Sequence, residues 1–335
     1  MAIDVEDLWL QAIDAEDAGD RDEMCRLSDM IIDADPENSD AWWMRANLEL
    51  PANGMPNLRE ASRCLRACRK VVEYDSENRK AWWRGGQILV EELGMLEEAL
   101  SWWQRRREAS PTDPEPLIEQ VAILSDLGQY GMAAERLNQL WIEGMDAMEH
   151  SQLMRTARLH GTVKKAADRE KTLIFKPWEK KHPGWKDIER DRRRKPASEQ
   201  TTFLMLAGPI VMIEVLLWNS IEFSGSVWLP MITGFLLVIA TVLMGVKWSK
   251  SLTMRLNRPA YNVIRATDIE MSSGKVCFPE KWRSERLYQS LLKYRTDAFQ
   301  ERLEKVVDAA EPLPNNWVPK IPDMTTVDFV FTEEE

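Results

Sequence analysis

Apolar and polar positions follow a helical period from residue 5 to about residue 175. The apolar runs are short, and Pro- or Gly-bearing stretches cut them: "DPENS" at 35–39, "PANGMPN" at 51–57, "SPTDPEP" at 110–116, "DLGQYG" at 126–131 and "LHGT" at 159–162. This pattern predicts pairs of short helices with a break after each. Two longer apolar stretches follow, and then a mixed tail. In the tail, Pro279 suits a first helical turn, and Trp282, Leu287, Leu291, Ala298, Phe299, Leu303 and Val306 predict one helix over about 280–309. A short strand pair is expected about "SSGK" at 272–275. The Pro-rich, acidic end reads as irregular.

The two apolar stretches are "FLMLAGPIVMIEVLLW" at 203–218, with Glu214 as its one charge, and "VWLPMITGFLLVIATVLMGV" at 227–246, with none. A helix that crosses a bilayer needs roughly 20 mostly apolar residues. The spacing therefore predicts spans at about 202–221 and 227–246. The link near "NSIEFSGS" is short, so the two form an antiparallel transmembrane hairpin. "RDRRRKP" precedes the first and "KWSKSLTMRLNR" follows the second, while the link carries only Glu222. Basic flanks stay inside, which predicts cytoplasmic N- and C-termini. Trp218, Trp228 and Trp248 fall where amphipathic rings settle at membrane interfaces.

An ionisable group inside a membrane is costly, which singles out Glu214 as the intramembrane polar residue. Three roles are open to it: a protonated donor to a carbonyl or to another copy of the hairpin, a group lying at the outer interface, or part of an ion path. The first would make the hairpin a route to a homo-oligomer.

The repeats carry the next signal. "DAWWMRANLE" begins at Asp40 and "KAWWRGGQIL" at Lys80, a shift of 40 residues, and "DPENS" and "DSENR" precede them in register. Four segments begin at Val5, Ser39, Arg79 and Pro114. Their fourth residues are Leu8, Trp42, Trp82 and Leu117, and their eighth are Ala12, Ala46, Gly86 and Val121. The second carries about six extra residues around "PANGMPN", and the third carries one before Gly94. The fourth continues through Gly128, Tyr130, Ala133 and Leu137. A fifth, weaker segment has Gly161, Val163, Ala166 and Pro177. This spacing resembles the tetratricopeptide repeat (TPR) family over residues 5–175. The resemblance implies paired antiparallel helices whose small positions allow close approach, stacked into a solenoid.

In TPR proteins the first helices line a groove that binds partners. Neighbours on a helix point about 100° apart, so the resemblance assigns Trp42 and Trp82 to packing. It makes Trp9, Trp43, Trp83 and Ile118 groove candidates, with Asn47, Arg84 and Gln87 beside them. Some family members clamp an acidic C-terminus, using a Lys where this chain has Trp. Here Glu115 and Glu119 would repel such a ligand, so an apolar or basic helix or an extended peptide is the better expectation.

Net charge is −11 overall, and residues 1–40 hold fourteen acids against two bases. An acidic face disfavours nucleic acid, and none is expected as a partner. No signal peptide is expected in the acidic start. Cys64 and Cys68 lie four apart on one helical face, with no CxxC and no His at ligand spacing nearby; they read as buried thiols, and no metal or cofactor is expected. The three His (His150, His160, His182) form no close pair, and no nucleotide, zincin or hydrolase motif occurs. The chain therefore reads as all-α and non-enzymatic: a TPR-like solenoid over 5–177, a basic juxtamembrane linker over 178–201, two transmembrane helices within 202–247 and a mostly helical C-terminal region over 248–335. Two classes of function fit: a membrane-anchored scaffold for an unidentified protein or peptide, and a subunit of a membrane complex that uses the hairpin and Glu214.

Overall fold

The computed structural model describes residues 5–142, 144–168, 174–220 and 228–324. Every extended element among them is helical. The chain divides into two compact units. The first joins residues 1–182 to 265–278 and 292–335; the second holds 183–264 and 279–291.

The first unit begins with α1 (Val5–Ala18), α2 (Arg21–Ala34), α3 (Ser39–Glu49), α4 (Leu58–Tyr74) and α5 (Arg79–Gln87). It continues with α6 (Leu96–Ala109), α7 (Glu115–Asp126), α8 (Tyr130–Ile142) and α9 (His150–Ala167). The duplicated sequence becomes duplicated capping. Asn38 and Asn78 accept hydrogen bonds from Ala41 N and Ala81 N, which satisfies exposed donors at the starts of α3 and α5. The first Trp of each pair then repeats one contact. Trp42 Nε1 donates to Pro36 O and Trp82 Nε1 to Ser76 O, each at 2.8 Å. Each indole thus fastens its helix to the loop that enters it.

Close packing comes from small residues under large rings. A Cβ at Gly85 would collide with the Trp102 ring, and one at Gly86 with the Trp103 ring. Trp102 Nε1 donates to Trp82 O at 2.8 Å. The extra residue before Gly94 is absorbed as a π-helical turn, Ile88–Glu92, where Leu93 N donates back to Ile88 O. Gly94 then turns the chain at φ +61°; a Cβ there would lie 2.8 Å from both Met271 Cβ and the Phe299 ring. That position requires glycine on conformational and steric grounds.

The fifth segment departs from expectation. α9 runs unbroken through Gly161, so "LHGT" makes no turn. A lone Gly costs a helix about 1 kcal/mol relative to Ala. No Pro accompanies it here, and it does not stop the helix.

The tail also differs. α13 (Arg258–Ser273) runs through the expected strand region, and Gly274, at φ +67°, follows its end. The one β contact among the described residues is an isolated bridge between Val276 and Pro312. The single helix expected over 280–309 is three pieces: a 3-10 turn (Glu280–Trp282), α14 (Arg286–Leu292) and α15 (Asp297–Ala309). Thr296 causes the last break. Its Oγ1 accepts from Phe299 N at 3.3 Å, so it caps a new helix rather than continuing the old one.

Much of this tail belongs to the first unit. Ile269, Ala298, Leu313 and Met324 share one hydrophobic cluster with Leu100, Trp102 and Leu117. Arg302 donates to Met271 O at 2.7 Å and also to Leu93 O. Glu301 Oε2 accepts from Leu58 N at 3.2 Å, and Arg265 Nε donates to Asp126 O at 3.2 Å. These contacts fall at the turns within successive helix pairs, so residues 265–278 and 292–324 cover one edge of the array.

The second unit contains α10 (Pro183–Asp191), α11 (Glu199–Ser220) and α12 (Trp228–Leu256). The expected linker is thus partly helical, and Arg192 O accepts from Leu287 N at 2.9 Å. Two helices are long and apolar enough to cross a membrane, over Glu199–Trp218 and Met231–Leu256. Their most apolar windows are only 11% buried, unlike a core helix of a water-soluble fold. α11 and α12 pack on each other through glycine: a Cβ at Gly234 would strike Trp218, and one at Gly245 would strike Ala207. Gly208 meets nothing and Pro209 lies inside α11. The loop expected near Glu222 lies outside the described residues, as does the Trp228 side chain.

Candidate functional site

Trp9, Trp43 and Trp83 are each the fifth residue of their helices, α1, α3 and α5. They hold one register position on successive first helices. Trp9 and Trp43 are half-buried, and Trp83 is 46% exposed. Ile13, four residues beyond Trp9 and on the same side of α1, extends this apolar surface at 52% exposure, and the sequence reading did not single it out though the spacing was available.

The polar candidates frame the aromatics. Asn47 Nδ2 donates to Trp43 O at 3.0 Å, and Gln87 Nε2 donates to Glu91 Oε2 at 3.2 Å. The Arg84 guanidinium stands 6.0 Å from the Trp83 ring centroid, in cation–π range. An aromatic row with one cation and two amides can grip an apolar or amphipathic segment, because large rings bury much area at little entropic cost.

Ile118 does not belong to this surface. It is fully buried in the main cluster. α7 starts at Glu115 beside Pro114, so its fifth residue is Glu119, and α9 reaches that face. Arg155 pairs with Glu119, and Gln152 Nε2 donates to Glu115. Burial pushes the Glu119 carboxyl up to about 7 and the Glu115 charge adds to this, while Arg155 opposes it. The aromatic row therefore ends at α5.

Another buried polar group escaped the sequence reading. Arg106 and Asp113 pair at 3.1 Å, both almost wholly buried, and Arg106 Nη1 also donates to Ser76 O at 2.8 Å. The fold makes this pair a brace between two inter-helix loops. Cys64 and Cys68 are free, buried thiols. The hydrogen bond between them, aided by burial, pushes the Cys68 thiol up and disfavours the thiolate.

Glu214 has one partner on the facing helix. Thr241 Oγ1 donates to Glu214 Oε1 at 2.6 Å, while Glu214 Oε2 is buried with no hydrogen bond among the described residues. Thr241 lies one turn before Gly245 on the packed face of α12. Among the described residues, no cluster of three or more His, Cys, Asp or Glu could hold a metal ion. No protein-family model matches the chain, and no curated protein matches it.

Proposed function

We propose that this protein is a non-enzymatic, membrane-anchored adaptor. Its TPR-like solenoid holds a protein or peptide partner on the cytoplasmic side, and the α11–α12 hairpin anchors it in the bilayer. The observation that carries the reading is the row of Trp9, Trp43 and Trp83, half-buried at the first two and exposed at the third, in a chain that also has two solvent-exposed apolar helices. The shared cluster of residues before and after the hairpin supports an even number of crossings, because a folded core cannot straddle a bilayer. The basic flanks support the cytoplasmic assignment of both ends.

Affinity capture with the full chain in detergent tests this. The Trp43→Ala/Trp83→Ala variant should lose bound partners while the protein stays folded by circular dichroism. An unchanged set of partners would overturn the adaptor role of this face.

A second reading, a subunit of a membrane complex, is favoured by the unsatisfied Glu214 oxygen. If Glu214→Leu changes the size of the purified assembly while the aromatic variant leaves it intact, this reading displaces the first.

A further inference from the structure

We infer that the foot of the hairpin is a docking collar for anionic phospholipid headgroups. This rests on the reading that α11 and α12 cross a bilayer. α12 has 29 residues, roughly 43 Å at 1.5 Å per residue. The hydrocarbon core is about 30 Å thick. The apolar part, Trp228 to Val246, uses roughly 28 Å of that helix. The remainder, from Lys247 to Leu256, therefore projects into the headgroup layer without a break in the helix.

The projecting turns have interfacial chemistry. Lys247, Lys250 and Arg255 are exposed, and Trp248, Leu252 and Met254 are exposed between them. Lys247, Lys250 and Met254 lie opposite Gly245, Ser249 and Thr253, which are buried. No acid occurs anywhere from residue 223 to residue 267.

A second segment adds to the same foot. Ala197 is held by Asn257 on both sides: its N donates to Asn257 Oδ1 at 2.7 Å, and its O accepts from Asn257 Nδ2 at 2.9 Å. Ser249 Oγ donates to Glu199 O at 3.1 Å. These bonds bring the stretch carrying Arg193 and Lys195, both exposed, to the base of α12.

The acids of α10 and Glu285 are already committed. Asp187 and Asp191 pair with Arg190, and Glu189 and Glu285 pair with Arg192. Glu199 is the one exposed, unpaired acid at this foot among the described residues, against five cations. Arg193, Lys195, Lys247, Lys250 and Arg255 form no ion pair among the described residues. A row of free cations set among apolar side chains, at the depth of the phosphates, fits an anionic leaflet. A soluble acidic protein would not match the interleaved Trp248 and Leu252, which need acyl chain or glycerol surface.

The test uses the purified full chain in neutral detergent. Thermal unfolding is followed while phosphatidylglycerol or phosphatidylcholine is added, at 0.1 and 0.5 M salt. Phosphatidylglycerol should raise the midpoint and phosphatidylcholine should not, and high salt should reduce the shift. The Lys247→Gln/Lys250→Gln/Arg255→Gln variant should lose most of the shift, with each cation contributing about fivefold in lipid affinity. It should still resist carbonate extraction from membranes, as the native chain does. Equal shifts with both lipids, or an equal shift with inorganic phosphate or polyglutamate, overturn the collar alone. Extraction of the native chain by carbonate overturns both the collar and the spanning reading beneath it.

Discussion

The helix pair α5–α6 and the helix pair α11–α12 are built with the same device and finished differently. In each, a glycine on one helix receives an indole from the other: Gly85 and Gly86 take Trp102 and Trp103, and Gly234 takes Trp218. Around α5–α6 neighbours cover most of the apolar surface, leaving Trp83 exposed, and Trp102 is fully buried. Around α11–α12 they are not, and Leu204, Met212, Phe235 and Leu243 stay exposed. In water the covering helices contribute hydrophobic burial. Between helices in lipid that driving force is missing, and close packing with a few polar contacts must suffice. On the proposed reading that α11 and α12 lie in a bilayer, the same glycine–indole contact should matter more in α5–α6 than in α11–α12.

The largest break in that comparison should come from Trp102→Ala. It removes a fully buried ring and its bond to Trp82 O, and should cost about 3–5 kcal/mol in denaturant unfolding of the full chain in detergent. Trp218→Ala should cost clearly less in the same measurement.

Next is Arg106→Ala. It leaves Asp113 buried without its main partner, for which a loss of about 3 kcal/mol is expected. The exposed Arg79, 3.4 Å from Asp113, offsets part of it. Adding Asp113→Ala should restore much of the loss, and the double variant in unfolding experiments measures this.

Glu119 gives a comparable effect that depends on pH. Its folded value near 7 lies above the ordinary 4.5, so the fold disfavours the charged form. The resulting penalty is absent below about pH 4.5, grows as pH rises, and is complete above about pH 7. Glu119→Gln should thus gain about 3 kcal/mol over the native chain at pH 8 and almost nothing at pH 4.5. Arg155 is half exposed and can be rehydrated. Unfolding midpoints across this range check the sign.

The smallest effect should be in the apolar hairpin itself. Thr241→Val removes one bond to Glu214 and should weaken helix association by about 0.6 kcal/mol, as read by a distance probe between α11 and α12.

Local features were legible in the sequence. The paired breaks and the two apolar runs gave the helices α1–α8, α11 and α12, because each is set by periodicity and by capping residues close in sequence. The unreadable parts depend on distant partners of ordinary type. Leu58 N and Glu301 are 243 positions apart, and Arg302 meets a bare backbone carbonyl at Leu93. Neither leaves a mark in composition or period. The candidate surface was half legible for the same reason. The register placed Trp43 and Trp83 on one face, but only the packing of α9 reveals that Ile118 and Glu119 are covered.

The return of residues 265–278 and 292–324 to the array sets an order on biosynthesis. A ribosome adds residues at about 5–20 per second, so the segments that complete the edge near Gly94 emerge roughly 10–30 seconds after that edge is made. In between, the two apolar helices must leave the ribosome and find their place. The nascent array waits with Gly94 lacking its neighbours Met271 and Phe299, and Leu93 O lacking Arg302. A chaperone that holds it through this interval, or a message with a slow codon stretch just after the hairpin, would act on a vulnerable stage of assembly. Premature termination before residue 265 would then yield a chain whose apolar helices are all present but whose array is never sealed.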